Sequence, residues 1–489
     1  MAVSISGANN RYELVVGLEV HAQLSTLSKA FSSDSAAFGA APNHHISAIS
    51  LGHPGTLPRI NKRMVEYAVK LGLACNCEIN LNNNFARKNY FYADLPKGYQ
   101  ITQDQHPVCL GGEVTVKLAD GTVKVIAIHH IHMEEDAGKS MHDQHYDDSF
   151  IDLNRAGVPL LEIVTQPDMR SSEEAGQFLT EMRKILRYLD ICDGNMEEGS
   201  MRCDANISVR LKGETTFGNR CEVKNLNSIR NVQRAIEHEF ARQVAIIENG
   251  GHIEQNTLNF NADTGETSVL RSKEMANDYR YFPEPDLSPL VLDDAYIARV
   301  KSTMPPLPDQ LYKKYTTELG LTEYDASVIT ADKELAFYFE ELVNHTENYK
   351  SAANWLMGAL KSHLNETGKS IDDLGIPAGN LAGLIKLVDS GKINNTVAAQ
   401  KLFPAMLASP GKTADTLAGE LNLLISADSN DLQSFIQAAI AKYPDKVIEY
   451  RKGKKGVLGL FMGEIMKISK GKIDPKETNQ LLIKELESK

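Results

Sequence analysis

Period-two alternation in four separated stretches is the feature that most constrains this chain. Successive side chains of a strand point to opposite faces, so parity shows what each face carries. In residues 14 to 24 one parity is Leu14, Val16, Leu18, Val20, Ala22 and Leu24, and the other holds Glu19, His21 and Gln23. After the Asp120-Gly121 turn, a hairpin signal, the next stretch places His130, His132 and Glu134 on one face, with Glu135 and Asp136 at its end. In residues 200 to 211 Met201, Cys203, Ala205, Ile207 and Val209 oppose Arg202, Asp204, Asn206 and Ser208. Finally, Arg220, Glu222 and Lys224 share a face opposite Cys221 and Val223.

An antiparallel sheet ordinarily keeps one wet face, and these strands fit that description. Wet faces usually carry Thr, Lys and Ser, however, whereas this one gathers Glu19, Glu134, Asp204 and Glu222 with His21, His132 and Asn206. Such a set repels itself unless cations sit within it. Oxygen-rich sites with an occasional imidazole suit Mg²⁺ or Mn²⁺. With Arg202, Arg220 and Lys224 interleaved, the field favours a metal-bound phosphate, which makes nucleotide chemistry the expectation.

The strands and a few amphipathic helices fill the first 290 or so residues, an α+β pattern on a largely antiparallel sheet. Ser171 and Glu174 form a capping-box pattern before a helical stripe, and a second helix starts after Asn227-Ser228 and ends at Asn249-Gly250-Gly251. Beyond Pro305, Pro306 and Pro308 the periodicity is helical, with a further break at Ser409-Pro410-Gly411. The expected domains are 1–295, 296–410 and 411–489, as 489 residues with 42 % hydrophobic content allow.

A net charge of −12 argues against non-specific coating of nucleic acid, so any polyanion must meet a local basic patch. The tail supplies one: residues 451 to 472 hold seven Lys/Arg, among them Lys454, Lys455, Lys467 and Lys470, against one acid, Glu464. A solvated basic helix is the competing reading of that stretch. Residues 87 to 100, RKNYFYADLPKGYQ, mix cations with aromatics and suit phosphate or base contact, or equally an aromatic minicore. No run of about 18 apolar residues or signal peptide occurs, which predicts no membrane insertion, and six irregularly spaced cysteines fit a cytoplasmic protein. Gly138-Lys139-Ser140 lacks the first glycine of a phosphate-binding loop, Met133 standing there. Neither a G-x-S-x-G elbow nor a cysteine with a glutaminase setting is found.

On the segments VGLEVHAQL, RKNYFYADLPKGYQ, HMEEDAGKS, DLNRAGVPLLEIVTQPDM, MEEGSMRCDANISVR, EVKNLNS, DYRYFPEPDL, NWLMG and GEIMKISKGK, the chain resembles the B subunits of bacterial-type aspartyl/glutamyl-tRNA amidotransferases over essentially its full length. The resemblance implies a catalytic cradle related to glutamine synthetase and guanidino kinases, then an all-α domain, then a YqeY-like tail that binds tRNA. It implies ATP-dependent amidation of misacylated Glu-tRNA(Gln) or Asp-tRNA(Asn), with ammonia from the amidase (the A subunit) and a small C subunit that holds the assembly together. Carried onto this chain, Glu19, His21, Glu134, Glu135, Asp204 and Glu222 would hold Mg²⁺ or Mn²⁺. Glu19, His21, Glu134 and Lys88 would be catalytic, Lys88, Arg202, Asn206 and Lys224 would meet the nucleotide, and Lys454, Lys455, Lys467 and Lys470 the tRNA. Some relatives carry a cysteine zinc site where this chain has Ser32, Asp34, Ser47 and Ser50, so no zinc is expected. The rival readings are a non-catalytic tRNA-binding scaffold and a free-standing Mg²⁺-dependent ligase or kinase of a small metabolite.

Overall fold

The computed structural model describes residues 11–141, 148–272, 279–425, 429–469, 473 and 475–488. Residues before Leu307 are built on a ten-stranded sheet whose principal strands are β1 (Tyr12–Gln23), β2 (Val123–Glu135), β3 (Pro159–Thr165), β4 (Met201–Leu211), β5 (Cys221–Leu226), β6 (Asn256–Phe260) and β7 (Thr267–Ser272). Their spatial order is β7-β6-β5-β4-β1-β3-β2, so β1 runs centrally between β4 and β3. Glu19 faces Asp204 across one border and Val164 across the other; His21 faces Arg202 and Glu162. Pairing is antiparallel except between β5 and β6. A parallel pair needs a crossover, and the long helix α3 (Ile229–Glu248) makes it.

One face of the sheet is apolar because every strand contributes one parity to it. Val16, Leu18 and Val20 join Ile131, Met133, Leu161, Ile163, Cys203, Ala205, Ile207 and Val223 in a single core. Helices α1 (Lys62–Ala74), α2 (Ser172–Tyr188) and α3 cover this core, with Phe178, Met182 and Leu186 of α2 fully buried. Their starts follow the capping signals: the Ser171 hydroxyl accepts from the Glu174 amide at 3.1 Å and the Ser228 hydroxyl from the Asn231 amide at 3.1 Å. Such caps satisfy amide donors that the first helical turn leaves without partners.

The alternation in β2 is broken once. His130 pairs with Val164 but Ile128 pairs with Thr165, leaving His129 as an extra residue. This bulge lets Ile126 and Ile128 share the core face with Ile131 and Met133 despite their opposite parity. Beyond it, His130, His132 and Glu134 all turn to the face that the helices leave uncovered.

The chain divides into two units between Leu307 and Pro308. The first extends past residue 295 because helix α4 (Asp294–Ser302) packs against α1, and Val300 and Leu307 enter the core. The second unit contains no strand among its described residues. Its helix Ala414–Glu420 packs on Ala378–Asp389 and so lies with the middle helices rather than with the tail that the break at Pro410 suggests. The helices Ser429–Lys442, Pro444–Arg451, Leu458–Ile468 and Pro475–Glu487 enclose a core of their own around Ile436, Tyr450, Phe461, Ile465 and Leu482. No helix among the described residues is long and apolar enough to cross a membrane.

Truncating a helix anchor tests this layering. Phe178→Ala removes a fully buried ring and is expected to cost about 4 kcal/mol, read as a lower urea midpoint for loss of circular dichroism. An unchanged midpoint would remove α2 from the core.

Candidate active site

The uncovered face of the sheet carries two clusters of possible metal ligands, side by side along β1. In the first, His21, Glu134 and Glu162 each present a ligand atom within 4.8 Å of the other two. His21 Nε2 lies 3.4 Å from Glu162 and 3.9 Å from Glu134. His132 Nε2 lies 3.2 Å from Glu162 and 3.7 Å from Glu134, and the Thr102 hydroxyl donates to Glu134 at 3.2 Å. Two buried carboxylates are thus bracketed by two imidazoles. Burial disfavours charge on every one of these groups, but the mutual attraction outweighs it: Glu162 falls well below the usual carboxylate range, Glu134 falls, and His21 rises. His132 rises to about 10 against its own burial through Glu162 and Glu134. Lys88, from the short strand Ala86–Asn89, has its ammonium held on by Glu134 and Glu162 against burial, and lies 5.1 Å from the centre of the Tyr279 ring.

In the second cluster, Glu19, Asp204 and Glu222 converge from β1, β4 and β5, again within 4.8 Å. Lys224 bridges two of them, at 2.6 Å from Asp204 and 2.7 Å from Glu222. Thr257 donates to Glu222 at 3.0 Å, and the Asn206 amide donates to Glu19 at 2.9 Å. Glu19 is still pushed above the usual carboxylate range, first by burial and then by Glu162, Glu222 and Asp204. One lysine therefore does not neutralise this cluster. Both donor sets fit a hard divalent ion, the first with one imidazole and two carboxylates and the second with three carboxylates.

Most residues singled out by parity meet here, with instructive exceptions. Glu135 does not join the cations' ligands: being next to Glu134 in an unbulged strand segment, it points to the opposite face. There it pairs with Lys97, accepts from the Ile101 amide at 2.9 Å, and lines a separate cavity of about 80 Å³ with Lys29 and Ser50. Arg202 is engaged by Asp136 at 2.8 Å, an acid that also accepts from Gln23 at 2.7 Å. Ser32, Asp34, Ser47 and Ser50 do come together, as a hydrogen-bond knot in which Ser47, at 2.8 Å, and Ser50 donate to the Asp34 carboxylate. Cys75, Cys77 and Cys109 are buried thiols. In the tail, Lys454, Lys455 and Lys467 are exposed, Lys455 lying 4.1 Å from the Tyr450 ring centre and 2.9 Å from Glu487; Lys470 lies outside the described residues.

Sequence reasoning missed Glu162. Its strand reads Pro-Leu-Leu-Glu-Ile-Val-Thr, apolar on both parities, so no alternation marks it. The available signal was a lone acid inside a buried apolar strand, which is costly unless partnered.

Residues 14–298 match the family model of the GatB/GatE catalytic domain, and residues 337–486 that of the GatB domain. Both sheet clusters fall inside the first match, so fold and site define a chain of the GatB/GatE catalytic class. The chain is similar to the B subunit of the aspartyl/glutamyl-tRNA(Asn/Gln) amidotransferase of Paramagnetospirillum magneticum, 47 % identical over 99 % of this chain and 100 % of the relative. The B subunits of the same enzyme from Rickettsia felis, 48 % identical over 99 % of each chain, and Syntrophotalea carbinolica, 47 % identical over 98 % of this chain and 99 % of the relative, are also similar. The chain belongs to this family of amidotransferase B subunits.

The imidazole bracket has a pH signature. His132 is raised from 6.5 to about 10, so its contribution to stability is complete below pH 6.5 and is lost as pH rises towards 10. Metal-free protein should lose stability across that window, and His132→Asn should flatten the slope in urea titrations at successive pH values. An unaltered slope would remove His132 from the carboxylate pair.

Proposed function

We propose that this chain is the catalytic component of an ATP-dependent amidotransferase that converts Glu-tRNA(Gln), Asp-tRNA(Asn) or both to the amidated forms. The observation that carries this reading is the pair of acidic clusters on one sheet face, interleaved with Lys88, Lys224 and Asn206. A carboxylate is a poor electrophile. One of its oxygens therefore attacks the terminal phosphorus of ATP, forming an acyl phosphate as the bond to ADP breaks; ammonia then attacks the carbonyl carbon, forming the C–N bond and expelling phosphate. Phosphoryl transfer of this kind depends on positioning and on neutralising charge.

His21, Glu134 and Glu162 would hold one divalent ion and Glu19, Asp204 and Glu222 another, with Mg²⁺ or Mn²⁺ matching the donors. Such ions, when bound, clamp phosphate oxygens and stabilise the charge that develops on them. The chain's own residues do the rest. Lys88, fixed beside Glu134 and Glu162, presents a permanent positive charge to the transferring group. Lys224 lies between Asp204 and Glu222 and is the cation a bound ion would displace towards phosphate. Asn206 orients the Glu19 carboxylate at 2.9 Å, and His132 keeps Glu134 and Glu162 ionised in spite of burial.

The wider reading follows the family: a cradle of the glutamine synthetase and guanidino kinase type, a helical domain and a YqeY-like tail, working in the cytoplasm with the amidase, or A subunit, and the small C subunit. The exposed Lys454, Lys455 and Lys467 would meet the tRNA backbone.

Two experiments test this. Given misacylated tRNA, ATP and an ammonium salt but no amidase partner, the full chain should release phosphate and form the amide, and Glu134→Ala should abolish both while leaving tRNA binding intact. Phosphate release only in the presence of the amidase partner would favour a scaffold. Reversing Lys454, Lys455 and Lys467 to Glu should raise the KM for tRNA and lower the salt slope by up to about three phosphate contacts; an unaltered slope would put the RNA elsewhere.

A further inference from the structure

The bulge in β2 does more than correct the phase of the strand. Neighbouring side chains of a regular strand point to opposite faces and do not meet. At the bulge two successive histidines do meet, with His129 Nδ1 lying 2.7 Å from His130 Nδ1. The other nitrogen of His130, Nε2, lies 3.0 Å from His132 Nδ1, and His132 Nε2 reaches Glu162 at 3.2 Å and Glu134 at 3.7 Å. Three imidazoles thus run in single file from the exposed His129 through the half-buried His130 to the buried His132, and end on the carboxylate pair.

Ring geometry makes these contacts hydrogen bonds. His130 and His132 are parallel within 18°, yet their centres are 5.1 Å apart and their facing nitrogens 3.0 Å, so the rings meet edge to edge and not face to face. His129 and His130 also meet by their edges, with centres 4.9 Å apart and planes turned by 76°. Ionised carboxylates only accept hydrogen bonds, so His132 Nε2 carries a hydrogen. His130 is pushed down to about 4, by burial first and then by His132 and His129, and stays neutral at pH 7. Its Nε2 accepts from His132 Nδ1–H, and its own Nδ1–H donates to His129. The backbone under the file is anchored too: the Gly111 amide donates to the His129 carbonyl at 3.0 Å, and His130 pairs with Leu110 of the short strand Cys109–Leu110. Pinned at one nitrogen, a buried imidazole can still turn about its Cβ–Cγ bond. Pinned at both, its plane and its proton positions are set.

We propose that His130, steadied by His129, is a positioning residue that fixes the His132 ring and through it holds Glu134 and Glu162 ready as ligands for a divalent ion. The inference rests on the cation reading above and adds to it the residues that aim the ligands.

The test uses the full chain in a Glu222→Gln parent, which leaves only the first acidic cluster intact, with His130→Leu and His130→Gln added to it. Gln places a carbonyl oxygen at nearly the reach of His130 Nε2, whereas Leu has no acceptor. If circular dichroism shows that the Leu variant does not fold, His130→Asn, one bond shorter than Gln, takes its place. Nitrogen NMR of histidine-labelled, metal-free protein should show the His132 Nδ1 signal moved by Leu and returned by Gln. Calorimetry with Mn²⁺ should show affinity lowered about tenfold by Leu, the scale for losing an outer partner of a metal ligand, and recovered with Gln. A parent that binds Mn²⁺ while the His132 signal or the affinity is unmoved by Leu overturns the positioning role alone. Equal losses with Leu and Gln also overturn it, because packing then accounts for the effect. A parent that binds no Mn²⁺ overturns the cation reading and the positioning role with it.

Discussion

Five carboxylates held on one face of a sheet can remain charged only if positive charge lies among them. Everything distinctive about the N-terminal unit follows from that constraint. The buried pair Glu134 and Glu162 is met by His21, His132 and Lys88, which together overcome the desolvation of each acid. In the triad of Glu19, Asp204 and Glu222, Lys224 bridges two of the acids, yet Glu19 remains above its ordinary range. The first cluster is nearly self-compensating and the second is not. A divalent ion would relieve the second most, because carboxylate repulsion is what it removes.

The fold supplies the precision this demands. Each acid sits on a strand whose opposite parity is locked in one apolar core, so a one-residue slip would bury charge and expose the core. The central position of β1 fixes Glu19 and His21 from both borders. A single bulge at His129 corrects the phase of β2, turning His132 and Glu134 towards the site while keeping four apolar residues inward. The site is therefore carried by strands.

How much of this was legible depended on whether a residue's own strand alternates. Glu19, His21, Asp204, Asn206, Glu222 and Lys224 stood out because each lies in a clean period-two stretch, and the helix caps at Ser171 and Ser228 were readable from local chemistry. Glu162 was hidden because its strand, Pro159–Thr165, is apolar at both parities and so shows no alternation. Glu135 was misassigned for the opposite reason: grouping neighbours by charge ignored that adjacent strand residues diverge, and its partner Lys97 comes from a loop that parity does not describe. The parallel pairing of β5 and β6 is set by the α3 crossover, a tertiary choice with no local signature. The tail's basic character was plain from composition, while the packing of Ala414–Glu420 with the preceding helices depends on contacts across the unit.

The most direct measurement is anomalous diffraction from crystals of this chain soaked in Mn²⁺ with a nucleoside triphosphate. Two peaks, one among His21, Glu134 and Glu162 and the other among Glu19, Asp204 and Glu222, are the expected result. Manganese bound away from these side chains, or an occupied lattice site elsewhere with both clusters devoid of signal, would contradict the claim that this sheet face is built around cations.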